Sequence, residues 1–169
     1  PVTDVPVEIR ARQGNPCGSI NWGYGAWSNQ ADGTYIIRGV PPGAYYLYSN
    51  NMGQSDYVNE WWASPVSTFY CSGAQAVNVS APGEAITGKD FQLDMGGSIS
   101  GTVYGEDGPV EGVQIQVFAF PCAQYWINGV LTDEDGRYTV TGLPPGAVYV
   151  KACATCASHL NYIDKHYDG

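Results

Sequence analysis

The chain has 169 residues, of which 44% are hydrophobic and 14% are charged, and its formal net charge is −9. With 22 Gly and 11 Pro residues, this composition indicates a folded protein rich in turns. The acidic excess argues against nucleic-acid binding, because the 7 Lys and Arg side chains are too few to neutralise a phosphate backbone. No apolar run reaches the length of a membrane span.

Short runs of β-forming residues, separated by turn signals, follow one another along the chain. Some alternate apolar and polar side chains, and others are β-branched or aromatic runs between an Asp-Gly turn and a Pro-Pro-Gly corner. They predict strands, in chain order, at 5–11, 34–38, 44–48, 75–80, 89–94, 98–104, 113–118, 137–141 and 147–152. Helix is expected only as a short stretch at 56–62 and its counterpart at 161–167. This pattern predicts an all-β, antiparallel sandwich fold.

The chain nearly repeats itself. The octet GVPPGAYY that begins at Gly39 returns as GLPPGAVY at Gly142, and the Asp32-Gly33 turn returns as Asp135-Gly136. An offset of about 103 residues is the size of a whole domain rather than of a solenoid unit. We therefore predict two tandem domains, at 1–96 and 97–169, joined by a linker of a residue or two.

The two predicted domains differ at their ends. The strand at 98–104 has no counterpart in the first domain, and the strands at 75–80 and 89–94 have none in the second. A missing strand leaves backbone donors and acceptors unpaired. We expect the strands to come from adjoining repeats of a longer array or from neighbouring chains. Strand addition from chain to chain, head to tail, generates an open filament when the rotation does not close.

Four motifs of the second domain carry a family resemblance. They are SISGTV at 98–103, GPVEGV at 108–113, TDEDGRY at 132–138 and GLPPG at 142–146. In combination they resemble the carboxypeptidase regulatory-like family, relatives of the collagen-adhesin B-type repeats. The resemblance implies two transthyretin-like (Ig-like) β-sandwich domains, each lacking a terminal strand. It also implies a non-catalytic module of the kind found on secreted enzymes, adhesins and surface fibres. The Lys–Asn isopeptide crosslink of the adhesin relatives is not expected, because the first strand lacks Lys and the last lacks Asn.

Five cysteines are candidates for disulfide bonds: Cys17, Cys71, Cys122, Cys153 and Cys156. Cys17 and Cys71 form the only pair available within the first domain, and we expect Cys122 to pair with Cys153 or Cys156. In an oxidising compartment, the odd number leaves one thiol free or available for an inter-chain bridge.

Catalytic constellations are missing from the sequence, so we do not expect an enzyme. The two histidines, His159 and His166, have no counterparts in the first domain, and no nucleophile elbow is present. A Cys₃His zinc site of His159 with Cys122, Cys153 and Cys156 is the alternative to disulfide bonds.

No cofactor is expected, and calcium is the alternative considered. The carboxylates of Asp133 and Asp135 are clustered as a hard cation requires, but the same residues suit a simple Asp-Gly hairpin turn.

Aromatic side chains are the candidates for binding. They suit either stacking on sugar faces or packing at subunit interfaces. The candidates are Trp22, Tyr24, Trp27, Trp61, Trp62, Tyr125 and Trp126. For the adjacent Trp61 and Trp62, packing within or between sandwiches is the favoured alternative.

The sequence thus predicts a structural unit of an extracellular filament or cell-surface array. It would assemble by strand complementation, aromatic interfaces and disulfides, with itself as partner in a head-to-tail homopolymer or with neighbouring repeats. The surplus of 13 Tyr and 5 Trp supports an extracellular or cell-surface location. The alternative is a glycan-binding accessory module of a secreted hydrolase, or an adhesin.

Overall fold

The computed structural model describes residues 5–18, 23–51, 55–119, 126–156 and 160–167. The chain divides into two compact units, Pro1–Asp94 and Met95–Gly169, here called unit 1 and unit 2. Their regular structure consists of antiparallel strands, so the predicted all-β class is confirmed. Within the described ranges, no helix has the length and apolar character needed to cross a membrane.

Unit 1 is built on one four-stranded antiparallel sheet. Its strands are β1 (Glu8–Arg12), β2 (Tyr24–Trp27), β3 (Gly43–Asn50) and β4 (Ala76–Val79), in the spatial order β2-β1-β3-β4. Side chains of successive residues point to opposite faces of a strand, so the alternating sequence makes one face apolar. That face carries the core of unit 1, which comprises Val7, Ile9, Ala11, Tyr45, Leu47, Trp62 and Val77.

Two extended segments lie over this core without forming a regular sheet. We call residues 34–40 the edge segment and residues 84–94 the closing segment. Their apolar side chains pack on the core but are only partly buried; they are Tyr35, Ile37, Val40, Ile86, Phe91 and Leu93. The sequence predicted strands at 34–38 and 89–94, but neither is a paired strand among the described residues. The prediction identified the extended backbone correctly; a ladder also requires a neighbouring strand.

The helix predicted at 56–62 is wrong. Backbone N–H groups of Trp61 and Trp62 donate instead to the carbonyl oxygens of Thr68 and Leu47, at 2.7 and 2.9 Å. This stretch therefore continues the sheet beside β3. Its counterpart at 161–167 is not helical either and ends in a short strand. In the described part of the chain, the one helical turn is a 3₁₀ turn at Cys71–Gly73.

Unit 2 repeats this plan with an additional strand pair. Its strands are β5 (Gly97–Thr102), β6 (Tyr104–Gly105), β7 (Gly108–Pro109), β8 (Gln114–Phe118), β9 (Trp126–Leu131), β10 (Arg137–Leu143), β11 (Tyr149–Cys153) and β12 (Lys165–His166). The main sheet has the order β12-β11-β8-β9, and β5 pairs with β10 in a second sheet. β6 and β7 pair with each other in a separate two-stranded ribbon.

The glycine of the repeated Asp-Gly turn has nearly the same φ in both units. Gly33 has φ of 75° and Gly136 has φ of 70°, a conformation that side chains with a Cβ rarely adopt. Asp32 Oδ1 accepts a hydrogen bond from the backbone N–H of Thr34, and Asp133 Oδ1 accepts one from that of Arg137. The repeated sequence signal therefore encodes a repeated turn.

A carboxyl group is buried in unit 1 beside the tryptophan pair. Glu60 is 2% exposed, and its carboxyl oxygens lie 2.5 Å from Ser67 Oγ and 3.4 Å from the Asp94 N–H. Burial raises the pKa of Glu60 above its ordinary value. Ser67 Oγ also lies 2.7 Å from the Gln92 carbonyl oxygen, and one hydroxyl proton cannot serve both acceptors. A protonated Glu60 that donates to Ser67 would satisfy the whole chain of hydrogen bonds.

Two disulfides close loops of very different length. Cys17 is bonded to Cys71 across 54 positions, and Cys153 is bonded to Cys156 across 3 positions. The pairing expected in the first domain is the one observed. The expectation that Cys122 pairs with Cys153 or Cys156 is wrong, because those two sulfurs bond to each other across a short local loop. Cys122 itself lies outside the described residues.

The difference in loop length predicts unequal contributions to stability. Replacing both Cys17 and Cys71 by Ser should lower the free energy of unfolding of unit 1 by about 4 kcal/mol. The same change at Cys153 and Cys156 should lower that of unit 2 by about 2 kcal/mol. The first loss is larger because opening the longer loop gives the unfolded chain more conformational entropy. Denaturant unfolding of the two double variants, followed separately for each unit, measures this. Equal losses would contradict the expectation.

The buried carboxyl predicts a pH-dependent stability. Because the pKa of Glu60 is raised in the folded state, folding binds a proton, and unit 1 loses stability as the pH rises above the ordinary glutamate range. Gln cannot titrate and can donate to Ser67, so Glu60→Gln should gain stability relative to the parent chain as the pH increases. Urea unfolding at a series of pH values tests this, with the exposed Asp56→Asn as the control. A Glu60→Gln difference that does not vary with pH would contradict it.

Candidate binding surfaces

The predicted aromatic residues fall into three groups. Trp27 and Trp126 are 50% and 54% exposed, and Tyr24 is partly exposed at the edge strand β2. Trp61 and Trp62 are buried. Trp22 and Tyr125 lie outside the described residues. The exposed group is thus spread over both units rather than gathered in one loop cluster.

The tryptophan pair packs inside unit 1. Trp61 lies against the ring of Tyr48 with their centroids 4.7 Å apart. Trp62 belongs to the core, and Lys89 Nζ lies 4.2 Å from the centre of its ring. Both rings are enclosed by the fold, so the structure gives neither of them a face for stacking on a sugar.

Unit 2 presents a row of aromatic rings across three strands. Phe118 of β8 is the register partner of Trp126 on β9 and of Tyr149 on β11. Phe118 is buried, whereas Trp126 and Tyr149 are exposed. Adjacent strands lie about 4.8 Å apart, so the backbones of β9 and β11, which flank β8, are about 10 Å apart. This row is suited to packing against another flat surface.

A charged cluster stabilises the end of the same sheet. Lys151 Nζ lies 2.7 Å from Asp164 Oδ2, and Asp164 Oδ1 accepts hydrogen bonds from the backbone N–H and the hydroxyl of Thr155, each at 2.9 Å. These hydrogen bonds lower the pKa of Asp164 to about 2, and the bond from Lys151 has the largest effect. Asp164 therefore stays ionised and joins its own segment to Lys151 and Thr155.

The metal candidates are engaged in other interactions. Asp133 accepts two backbone hydrogen bonds within its turn, and the carboxylate of Asp135 forms an ion pair with Arg137. Cys153 and Cys156 share a disulfide, so their sulfurs are not available as zinc-binding thiolates. Across the described ranges, no three His, Cys, Asp or Glu side chains are grouped closely enough to hold a metal ion. His159 lies outside those ranges.

A further candidate site is a cavity in unit 1 that sequence reasoning did not locate. It has a volume of about 1050 Å³, and the apolar face of the sheet lines it together with the edge and closing segments. Ile9, Leu47 and Val77 contribute from the sheet, Ile37 from the edge segment and Ile86 from the closing segment. We call it the open groove. Its walls are two extended segments that belong to no sheet in the described structure, although some of their backbone groups, such as the carbonyl oxygens of Lys89 and Gln92, accept hydrogen bonds from side chains.

Tyr35 reaches across the open groove. Its hydroxyl donates to the carbonyl oxygen of Lys89 in the closing segment at 2.5 Å, and its ring lies 6.4 Å from that of Phe91. Burial, with a further contribution from the charge of Asp90, raises the pKa of Tyr35 to about 12. The hydroxyl therefore remains protonated and joins the two walls at neutral pH.

Unit 2 shows the equivalent of the open groove in a more complete form. By the repeat offset, Ile37 and Val40 correspond to Val140 and Leu143 of β10. In unit 2, β5 pairs with β10, and Val140 and Leu143 are 0% and 4% exposed. In unit 1 the corresponding side chains are only half-buried. The exposure of the edge segment thus accompanies the lack of a β5 counterpart among the described residues of unit 1.

Comparison with known proteins finds one similarity, which lies in the second unit. Residues 98–162 match the family model of the carboxypeptidase regulatory-like domain. No curated protein and no solved structure matches the chain. The matched residues begin in β5 and include the four motifs that carried the resemblance, together with the β5–β10 pair. Residues 98–162, within unit 2, are therefore similar to the carboxypeptidase regulatory-like domain.

Proposed function

We propose that this chain is a non-catalytic structural subunit of an extracellular filament or cell-surface array. Its units join neighbouring copies or repeats by β-strand addition. The observation that supports this most directly is the open groove of unit 1, where an apolar sheet face and two extended segments lie without a completing strand among the described residues. A strand is the one element that satisfies both the apolar surface and the backbone of segments that belong to no sheet.

The energetics favour occupation of the groove by protein. Each Å² of apolar surface removed from water contributes about 25 cal/mol, and the half-buried Ile37, Ile86 and Phe91 all line the groove. A completing strand would add hydrogen bonds along both walls. Its association therefore combines hydrophobic and backbone contributions, as strand addition does elsewhere.

Other surfaces support assembly as well. Trp27 and Trp126 expose about half of their area, and aromatic side chains of this kind are frequent anchors at protein interfaces. Two disulfides are compatible with an extracellular location. These features suit a subunit that must persist outside the cell without turnover.

Assembly should depend on the inward face of the edge segment. We expect the parent chain to form filaments or higher oligomers, and Ile37→Asp to abolish them, because its carboxylate would enter the apolar groove. Ile36→Asp is the matched control, since Ile36 is its neighbour in sequence but is 64% exposed. Negative-stain imaging and sedimentation measure assembly. Two checks show that each variant folds: its circular dichroism spectrum and the presence of the Cys17–Cys71 disulfide. A parent chain that stays monomeric at every concentration would overturn the proposal, as would equal effects of both substitutions.

Carbohydrate binding at unit 2 is the second candidate function. It is favoured by the exposed rings of Trp126 and Tyr149, which flank the buried Phe118. Two rings on strands about 10 Å apart could stack on successive sugars of a chain.

Glycan binding at this face predicts a specific loss. Trp126→Ala should weaken binding to a soluble glycan by about fivefold or more, because one stacking contact contributes about 1 kcal/mol. Leu131→Ala is the matched control, since Leu131 is an exposed aliphatic residue of the same strand. A glycan array followed by titration measures it. A chain that binds no glycan removes this candidate and leaves the structural role unaffected.

A further inference from the structure

We infer that the Cys153–Cys156 disulfide of unit 2 is a thiol-exchange site, at which a thiol from solution attacks Cys156 and releases Cys153. The inference concerns unit 2 alone and does not depend on the proposed structural role. The substrate is a thiolate, carried either by a small thiol compound or by a cysteine of another polypeptide. Three properties of the cysteine pair support it: the unequal exposure of the two sulfurs, the polar groups around one of them, and the short loop that they close.

The two cysteines differ in their access to solvent. Cys153 is the last residue of β11 and is 2% exposed, whereas Cys156 is exposed. A thiolate from solution therefore reaches the sulfur of Cys156, and Cys153 is the sulfur that departs. The side-chain amide of Gln116 on β8 lies 3.6 Å from Cys156 Sγ and can donate to that sulfur once it is reduced.

The sheet places two charged side chains against the buried sulfur. Lys151 and Cys153 are two residues apart on β11, so their side chains lie on the same face. Lys151 is the register partner of His166 on β12, and continuing that register places Asp164 opposite Cys153. The distances to Cys153 Sγ are 3.8 Å from Lys151 Nζ and 3.5 Å from Asp164 Oδ2.

These neighbours suit a reduced sulfur better than an oxidised one. A disulfide sulfur has no proton to donate and accepts hydrogen bonds only weakly, so it does not require polar partners. A Cys153 thiolate would accept from the Lys151 ammonium, and a Cys153 thiol would donate to Asp164 Oδ2. Both protonation states of reduced Cys153 therefore have a partner already in place.

The two charges act on the departing sulfur in opposite directions. The side chains of Lys151 and Asp164 are 21% and 25% exposed, so salt screens their charges less than it screens those of a fully exposed pair. Lys151 favours a negative charge on Cys153, whereas Asp164 disfavours it. Because a thiol with a lower pKa leaves a disulfide faster, Lys151 assists the departure of Cys153 and Asp164 opposes it.

The short loop allows the bond to open while unit 2 stays folded. Cys153 and Cys156 are 3 positions apart, against 54 for Cys17 and Cys71, so opening their bond returns less entropy to the unfolded chain. The pairing of β11 with β8 consists of backbone hydrogen bonds, which the disulfide does not supply. Reduction therefore costs unit 2 little stability.

The exchange balances with the thiol as the only co-reactant. The attacking thiolate forms a bond to Cys156 Sγ, the bond between the two cysteines breaks, and its electron pair passes to Cys153 Sγ. A second thiol then attacks the mixed disulfide, so two thiols become one disulfide while the cysteine pair gains two electrons and two protons. Where no second thiol arrives, Cys153 attacks the mixed disulfide, expels the thiol and restores the original bond.

Reduction of the full chain by glutathione tests the site. The chain carries Cys122→Ser, so that its fifth cysteine contributes no thiol, and alkylation with mass mapping follows each cysteine pair. Cys153 and Cys156 should become alkylated about tenfold faster than Cys17 and Cys71. The Cys17–Cys71 bond is the internal control, because Cys17 is exposed as well. Equal rates for the two pairs, or a 153–156 bond that does not open, would overturn the inference.

Trapping identifies the attacked sulfur and the source of the thiol. In the Cys122→Ser background, a Cys153→Ala chain should form a mixed disulfide between Cys156 and glutathione when it is treated with glutathione disulfide. A Cys156→Ala chain, treated in the same way, should keep Cys153 as a thiol. A second arm replaces glutathione disulfide by a disulfide-linked dimer of a peptide with one cysteine. Faster capture of the peptide assigns the site to polypeptide thiols, and faster capture of glutathione assigns it to small thiols. Failure of Cys156 to capture either probe would overturn the inference.

Substitution of the two charged residues distinguishes assistance to the exchange from a structural role. Lys151→Met should slow opening of the 153–156 bond by glutathione about fivefold, and Lys151→Arg should restore the rate, because either cation stabilises the departing thiolate. Asp164→Asn should speed opening, because it removes a negative charge beside Cys153. A structural role alone would shift the Met and Asn variants in the same direction, since each breaks the same ion pair. Shifts in the same direction would therefore contradict the inferred role of Lys151.

Discussion

The fold of each unit depends on covering the apolar face of a four-stranded sheet. Alternating side chains give the sheet of unit 1 one apolar face, and that face is stable only when a second layer removes it from water. The edge and closing segments provide this layer, but their backbones pair with no strand in the described structure. The open groove is the direct consequence. The same requirement that drives folding within a unit thus also explains the apolar lining of the open groove.

Unit 2 shows how the requirement is met when a strand is present. β5 lies along β10, and the side chain of Val140 beneath them is fully buried. Because the units are repeats, unit 2 serves as an internal reference for unit 1. Ile37 and Val140 occupy corresponding positions, and the more complete burial of Val140 accompanies the pairing of β10 with β5.

The remaining interactions fix loops and ends around these sheets. The Cys17–Cys71 disulfide, the Glu60 carboxyl and the Lys151–Asp164 ion pair each join segments outside the regular strands. The ion pair and disulfides reduce the freedom of long connections, whereas the buried carboxyl ties its segment to Ser67 and Asp94 through hydrogen bonds. Their common effect is to hold turn-rich sequence in one arrangement.

Local chemistry made much of the fold predictable. Asp-Gly and Pro-Pro-Gly punctuation, with period-two alternation, located β1, β3, β5, β8 and β10 within a few residues. Turn geometry and strand alternation depend on neighbouring residues, so they can be read from sequence. The Cys17–Cys71 bond followed from there being one pair available in its domain.

Long-range pairing decided the rest. Residues 34–38 and 89–94 have strand sequences, yet a strand exists only with a partner, and no local signal states whether one is present. In the same way, residues 56–62 continue the sheet because Leu47 and Thr68 lie within reach, and Trp61 becomes a core residue instead of an exposed one. The sequence by itself determined the fold class, the turns and the repeat, because these depend on nearest neighbours. The tertiary structure alone located the groove, because a cavity is defined by segments that meet across the chain.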